Sequence, residues 1–382
     1  MKNTNSKLSI NYVYEWTEPR EQCWSGTPYG LYKSLSSLCC MADVDLNRKF
    51  NSASLNRLAA KLRHFFRKLL FALLRSDSNY IIKRITEKSL SKKLNSKAPS
   101  LVYTDYLCKD TEKMFVYQDL SVNFDIRYAQ NHPDGYLPYE SRKILTKRSL
   151  AHEKIFYQRC AGIFTMSEWL KEDMIKNIGI DPEKIQVVNA GCNVKIDSRE
   201  TLAAALSRKN GRRFLFVGVD WERKNGPLVA EAFRRLREKY SDIELYIVGP
   251  ASCPLPAAQD SGIFYVGQIS HDDVKLYYDK CDYFVMPSEF EAFGIVFVEA
   301  MINALPCIGR DAFAMPEIIE EGKNGYLLKE ESAEALSALL EKLLLNGKEL
   351  TEYILAHRDT YIDKYSWDSV AAKMADFIRR NS

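Results

Sequence analysis

No run of about 18 apolar residues occurs in the chain of 382, because the densest stretches are broken by Arg67 and Lys68 or by Glu299, so no membrane-spanning helix is expected. The first sixteen residues, MKNTNSKLSINYVYEW, lack the apolar stretch of a secretory signal, and none is expected there. Nine cysteines are scattered along the chain without a C-x-x-C pair, which suits buried thiols in a reducing compartment and leads to the expectation of a cytoplasmic protein. Zinc-ligand spacing, a P-loop, a nucleophile elbow, internal repeats and low-complexity tracts are all missing, so neither metal nor cofactor is expected.

What is present is ordinary globular material, 46% hydrophobic and 27% charged, in a chain about two to three times the usual length of one domain. Short β-rich runs at 9–16, 100–106, 113–120, 162–167 and 184–190 precede a tighter series at 212–219, 243–249, 263–269, 282–287 and 305–309. Helical patterns separate several of them, with those of the second series at 227–240, 271–280 and 295–303. Apolar strands alternating with helices imply parallel sheets covered on both faces, hence two α/β domains. The polar stretch 195–211 reads as the linker, placing the domains at 1–195 and 211–365. In such sheets ligands bind beyond the C-terminal ends of the strands, so motifs there come first.

One such motif is PSEFEAFGIVFVEAM at 287–301. A buried strand ends at Pro287, a loop carries Glu291 and Gly294, and a helix starts near Ile295 with Glu299 one turn in. The N-terminus of a helix offers unpaired N–H groups and a partial positive charge, a site for a diphosphate, and Gly294 lets the backbone approach it closely. Two carboxylates beside a phosphate would repel it unless each faces neutral hydroxyl donors such as those of sugar and ribose. That spacing favours a nucleotide-sugar over a bare phosphate. Acidic residues near helix N-termini are also common for dipole reasons, so spacing alone leaves an ordinary surface loop open.

The segment resembles the E-x7-E signature of retaining glycosyltransferases of family 4, also called group 1, which have the GT-B fold of two facing Rossmann-like domains with parallel sheets. The segments FVGVDWERKNGP at 216–227, YIVGP at 246–250, FYVGQIS at 264–270 and MPEIIEEGKNGYLL at 315–328 follow the family in order and spacing. WSGTPYG at 24–30 and FTMSEWLKEDM at 164–174 resemble it in the first half. The resemblance implies transfer of a sugar from a UDP- or GDP-sugar, with retention and without metal, to a hydroxyl of a glycan or lipid-linked acceptor. Lys224 matches the lysine that holds the donor diphosphate. Arg223 stands in for a base that the family often carries directly after the strand glycine, where this chain has Gly218-Val219. Glu291 would hold sugar hydroxyls and Glu299 the ribose diol, with Phe293 and Gly294 between them on the donor. Gly26 and Thr27 match the glycine loop of the N-terminal domain. Asp119 stands where relatives often carry a histidine close to the reacting sugar, His132 and His152 being the alternatives. A helix at 366–382 would pack back on the first domain.

Two departures stand out. Phe313 occupies a place where many relatives have a Gly-Gly pair, and with Val219 it keeps alive the alternative of an inactive GT-B-like scaffold. Asp43-Val44-Asp45 matches the D-x-D metal motif of another glycosyltransferase fold, but it reads as following a helix rather than closing a strand and is set aside as chance. Between Leu46 and Lys97 fourteen Lys or Arg face two acids, leaving the remainder of the chain at −8. Within that block, Leu55, Leu58, Leu62, Phe65, Phe66, Leu69 and Leu73 form one stripe of a helix at 55–75 and Arg57, Lys61, His64, Lys68 and Arg75 another. That amphipathic basic helix is expected to dock on an anionic membrane, peripherally at its inner face, unless the stripe packs internally. Its aromatics lie on a helix face rather than in groove-reading motifs, so nucleic acid is not an expected partner.

Overall fold

The computed structural model describes residues 7–46, 86–88, 90–132, 147–255 and 261–382, so the basic segment 55–75 lies outside the described residues. The chain divides into two compact units, Met1–Asn189 with Trp367–Ser382, and Ala190–Ser366. The first contains a parallel sheet of β1 (Ser9–Tyr14), β2 (Cys40–Asp45), β3 (Ser100–Val102), β4 (Met114–Gln118), β5 (Gly162–Thr165) and β6 (Ile185–Val187), in the order β2-β1-β3-β4-β5-β6. Its helices include α1 (Thr27–Leu38), α2 (Val122–Asn131), α3 (Lys147–Arg159) and α4 (Glu168–Asp173). β3 and β5 are buried at every position and β4 at all but its last, as strands covered on both faces must be. Asn11 within β1 is fully buried; its side chain donates to the Asn95 and Ala98 carbonyls and the Ser100 hydroxyl and accepts from the Asn95 amide, so no polar group there goes unpaired.

The second unit has α5 (Arg199–Leu206), β7 (Arg213–Val217), α6 (Gly226–Lys239), β8 (Glu244–Val248), β9 (Ile263–Gly267), α7 (His271–Lys280), β10 (Tyr283–Val285), α8 (Ile295–Ile302), β11 (Cys307–Arg310), α9 (Met315–Ile318), β12 (Gly325–Leu328) and α10 (Ala333–Lys364). All six strands are parallel, in the order β12-β11-β10-β7-β8-β9. The chain winds outward from β7 to β9, then returns to the other side of β7 and winds the opposite way. The switch point therefore lies between β7 and β10. In the first sheet the corresponding reversal lies between β1 and β3. The final helix, α11 (Trp367–Arg380), belongs to the first unit. Its Phe377 ring meets Phe115 and Phe164 at 6.2 and 5.5 Å between centroids, over Gly162, where a Cβ would come within 2.6 Å of Phe377. Trp367 covers Gly30 in the same way.

Two strands escape the sequence pattern. β12 is short, and β2 is an edge strand whose CMADVD sequence keeps one residue, Val44, buried, so it lacks the apolar run that marks its neighbours. Asp43-Val44-Asp45 thus does close a strand, contrary to the expectation. Its carboxylates serve packing: Asp43 accepts from the Trp16 indole at 2.8 Å and from Arg20 at 2.8 Å, and Asp45 accepts from the Trp16 amide at 3.3 Å. The stretch 195–211 is not a bare linker either. It contains α5, capped by Ser198 and buried through Leu202 and Ala205, and the division between the units falls earlier, after Asn189. Among the described residues no helix is long and apolar enough to cross a membrane.

Candidate functional site

The switch point of the second sheet brings together the loops that leave β7 and β10. After β7, residues 220–226 fold into a compact turn: the Lys224 amide bonds the Asp220 carbonyl at 3.0 Å, and Gly226 that of Trp221 at 2.9 Å. Asn225 takes the left-handed conformation at φ 60°, and Gly226 has room only because it lacks a Cβ, which would come within 2.2 Å of the Trp221 ring. The stem of Lys224 lies over Gly218, whose absent Cβ would sit 2.9 Å from Lys224 Cγ. Behind it, a Cβ on Gly249, at the end of β8, would meet the Gly218 carbonyl group at 2.5 Å. These glycines create the space in which the lysine lies along the strand ends.

The two loops are knitted together. The Glu289 amide donates to the Arg223 carbonyl at 2.9 Å, and Arg223 Nη1 donates to the Phe290 carbonyl at 2.8 Å. Lys224 Nζ donates to Glu291 Oε2, with Arg223 Nη1 at 3.7 Å from the same oxygen and Arg223 Nε at 3.5 Å from Asp220. Glu291 and Lys224 are 14% and 12% exposed, so the pair is within reach of solvent without being dissolved in it. Gly294 then turns at φ 87° into α8, with no side chain capping the helix. A Cβ there would lie 2.7 Å from Phe297 and 3.2 Å from Glu291, so glycine is required by both conformation and space. Two cations, an uncapped helix N-terminus and a carboxylate thus converge at the switch point, an arrangement able to receive a phosphate group and a hydroxyl-bearing one side by side.

Glu299 and Phe293 sit deeper. Glu299 is 1% exposed and accepts from the Tyr278 hydroxyl of α7 at 3.2 Å, while Phe293 is buried with its ring 6.3 Å from that of Tyr365. Phe313 lies edge-on to Phe290 at 5.0 Å and adopts φ 57°, the left-handed region that glycine fills without strain. The turn at this position therefore makes a real backbone demand, which this chain meets with a phenylalanine.

The switch point of the first sheet opens on a cavity of about 440 Å³. It is lined by Tyr14, Glu15, Trp24, Tyr103, Gln118 and Asp119 among others, with no Lys or Arg among the described residues that line it. Trp24, at φ 39°, and Gly26, at φ 87°, turn the chain into α1, where Thr27 is buried. Aromatic walls with carboxylate and amide groups suit an uncharged, polyhydroxylated ligand better than an anion. Asp119 joins this cavity, whereas the histidines do not. His132 stacks on Tyr128 at 4.1 Å, and His152 is buried between Glu87 at 2.7 Å and Asp105 at 3.1 Å. Next to it, Glu153 accepts from the Val122 and Asn123 amides of α2 at 2.7 and 2.8 Å, and its Oε1 shares a hydrogen bond with the Tyr157 hydroxyl at 3.0 Å. Sequence reasoning passed over this group. The available signal was a glutamate on the stripe it shares with Phe156, Tyr157 and Cys160, which the structure buries.

The fold and these two switch points define the GT-B class. At a TM-score of 0.63 the chain aligns with sucrose-phosphate synthase of Thermosynechococcus elongatus, over 98% of each chain at 15% identity. It aligns with the Anabaena protein HepE in complex with UDP at 0.58, over 98% of this chain and 100% of that one at 15% identity. Residues 197–360 match the family described as Glycosyl transferases group 1, so the family resemblance carried by the motifs holds over that segment. Among curated proteins the chain is similar to a phosphatidyl-myo-inositol mannosyltransferase of Mycobacterium leprae, 27% identical over 229 residues, covering 58% of this chain and 59% of that protein. A glycosyltransferase of Methanocaldococcus jannaschii is 26% identical over 244 residues, covering 58% and 60%. The chain spans about three fifths of the length of these relatives.

Proposed function

We propose that the protein is a retaining glycosyltransferase that moves a sugar from a UDP- or GDP-sugar to a hydroxyl of a glycan or lipid-linked acceptor, in cell-surface polysaccharide or glycolipid synthesis. The observation that carries this reading is the convergence of Lys224, Arg223, Glu291 and the Gly294 turn into α8 at the switch point of the second sheet. Before the donor arrives, Lys224 is neutralised by Glu291. A diphosphate that takes over the lysine releases the carboxylate to accept from sugar hydroxyls, so the two halves of the donor are recognised together. As the glycosidic bond breaks, negative charge grows on the leaving phosphate, and Lys224, Arg223 and the N–H groups at the start of α8 are the groups that would stabilise it. The acceptor hydroxyl would enter on the face the phosphate leaves and lose its proton to a phosphate oxygen, which preserves the anomeric configuration without a base on the opposite face. That HepE was solved with UDP supports a uridine donor among those to be tried first.

The experiment is a panel of nucleotide-sugars assayed for release of free UDP or GDP, with NMR of the product anomer. Nucleotide release with an α-linked donor giving an α-linked product supports the reading. Absence of release from every donor, together with unimpaired binding of UDP and GDP, would instead favour a binding protein.

A further inference from the structure

Three oxygens stand in a row behind the cavity of the first unit. The Tyr157 hydroxyl is hydrogen-bonded both to Glu153 Oε1, at 3.0 Å, and to Gln118 Oε1, the side-chain carbonyl of a residue that lines the cavity. Two contacts between three oxygens need two protons. With the amide turned as the structure has it, the Gln118 carbonyl carries none and the tyrosine carries one, so a proton on Glu153 completes the row. In this arrangement Glu153 donates to Tyr157 and Tyr157 donates to Gln118. The Gln118 NH2 group, which has no acceptor among the described residues, is then the end left for the cavity. When Glu153 loses its proton the count changes: Tyr157 must donate to the carboxylate, its oxygen is left to accept, and the amide is best satisfied by turning its NH2 to the tyrosine and its carbonyl to the cavity.

We propose that Glu153 is a positioning residue for this cavity, which through the Tyr157 hydroxyl sets whether the Gln118 amide presents a donor or an acceptor to the bound ligand. The inference rests on the transferase reading only in naming that ligand, the polyhydroxylated acceptor. An NH2 beside the Asp119 carboxylate offers one donor and one acceptor to neighbouring hydroxyls, whereas a carbonyl beside the carboxylate offers acceptors alone. The relay therefore alters which hydroxyl geometry the cavity recognises. The groups around Glu153 agree with a proton held there. It is 1% exposed, and Asp105 approaches it as a second negative charge. The two α2 amides and Tyr157 are its hydrogen-bond partners, and the imidazole of His152 is occupied by Glu87 and Asp105. Burial and Asp105 raise its pKa to about 7, which puts both states within reach of neutral solution.

The test uses the ligand-free full chain labelled with 15N-glutamine, the Gln118 side-chain signals being identified by their loss in Gln118→Asn. Between pH 5 and 8.5 those NH2 signals should move with the same midpoint as the 13C carboxyl signal of Glu153. In Tyr157→Phe, which keeps the buried ring, they should stop following the carboxyl, and in Glu153→Gln they should keep their low-pH position throughout. Gln118 signals that stay fixed across this range in the wild type, or that titrate unchanged in Tyr157→Phe, overturn the proposal. Should Glu153→Gln fail to fold, because its NH2 faces an α2 amide, Tyr157→Phe carries the test. Nucleotide release from the donor panel is measured separately, so a silent Gln118 and an inactive transferase are distinct outcomes.

Discussion

Replacing Glu153 with glutamine should change how the stability of the first unit depends on pH, by an amount the structure sets. Burial first, then Asp105, raises the folded pKa of this carboxyl from an ordinary 4.5 to about 7, against the opposing pull of Tyr157 and the Val122 and Asn123 amides. A gap of about 2.5 pH units at about 1.4 kcal/mol each amounts to about 3.5 kcal/mol, of which about 3 kcal/mol falls between pH 4.5 and 8.5. Between those two values the folded chain keeps the proton and the unfolded chain has lost it. The contribution is therefore whole below pH 4.5 and is lost as the pH rises through about 7. Glutamine cannot ionise, so it brings a constant offset from its less suitable NH2 but no slope. Urea unfolding of both proteins at half-unit steps from pH 4.5 to 8.5 reads the difference directly. Wild type should lose about 3 kcal/mol relative to Glu153→Gln across that range. Parallel stability curves would refute the reasoning, since they would mean that the carboxyl is ionised, or not, alike in folded and unfolded chains.

Lys224→Ala should raise the transfer barrier by about 3 to 4 kcal/mol with little effect on acceptor binding, and Arg223→Ala should do the same to a smaller degree; near-normal turnover with the true donor would remove the residue from the mechanism. Calorimetry with UDP or GDP should show weaker binding in Glu299→Ala and nearly intact binding in Glu291→Ala, whose loss falls on sugar transfer; equal weakening in both would mean that their roles are wrongly assigned. Gly218→Ala places a methyl 2.9 Å from Lys224 Cγ and should lower the transfer rate by up to about 100-fold while the melting temperature stays close to wild type; an unchanged rate would show that the lysine reaches its position by another path. For the basic segment, co-sedimentation with liposomes should require anionic lipid, fall with salt and drop when Arg57, Lys61, Arg67 and Lys68 are changed to glutamine; no binding at low salt would leave the stripe as core and favour a soluble acceptor.

The second unit was the more legible in sequence because its strands are apolar runs and its loops carry residues demanded by the backbone. Gly218, Gly226 and Gly294 each sit where a Cβ would collide with Lys224, Trp221 or Phe297, so the motif records the geometry residue by residue. The resemblance put Lys224 and Glu291 on the same donor, but their direct contact across 67 positions shows only once the strand order sets the loops after β7 and β10 side by side. β2 was hidden by its edge position, and its Asp43 looked idle because Trp16 and Arg20, its partners, lie 27 and 23 positions away. The Glu153–Tyr157–Gln118 row was illegible for a different reason. Each member is ordinary in its own segment, and the property that matters, the number of protons shared among three oxygens, exists only after α3 packs on β4.

The chain leaves the first unit after Asn189 and comes back at Trp367, which makes the second unit an insertion within the first. Its two ends are held together, since the Cys192 amide donates to the Tyr365 carbonyl at 2.8 Å. Such nesting has an asymmetric consequence for dissection. The inserted piece, Ala190–Ser366, is one continuous stretch with neighbouring ends, suited to expression alone or to transplantation into another host loop. The host is different: cutting the chain after Asn189 strips Phe377 from Phe115 and Phe164, and Trp367 from Gly30, leaving aromatic surfaces bare. A workable host fragment must splice Asn189 to Trp367 through a short bridge, so the last sixteen residues are as much a part of the first unit as the strands they cover.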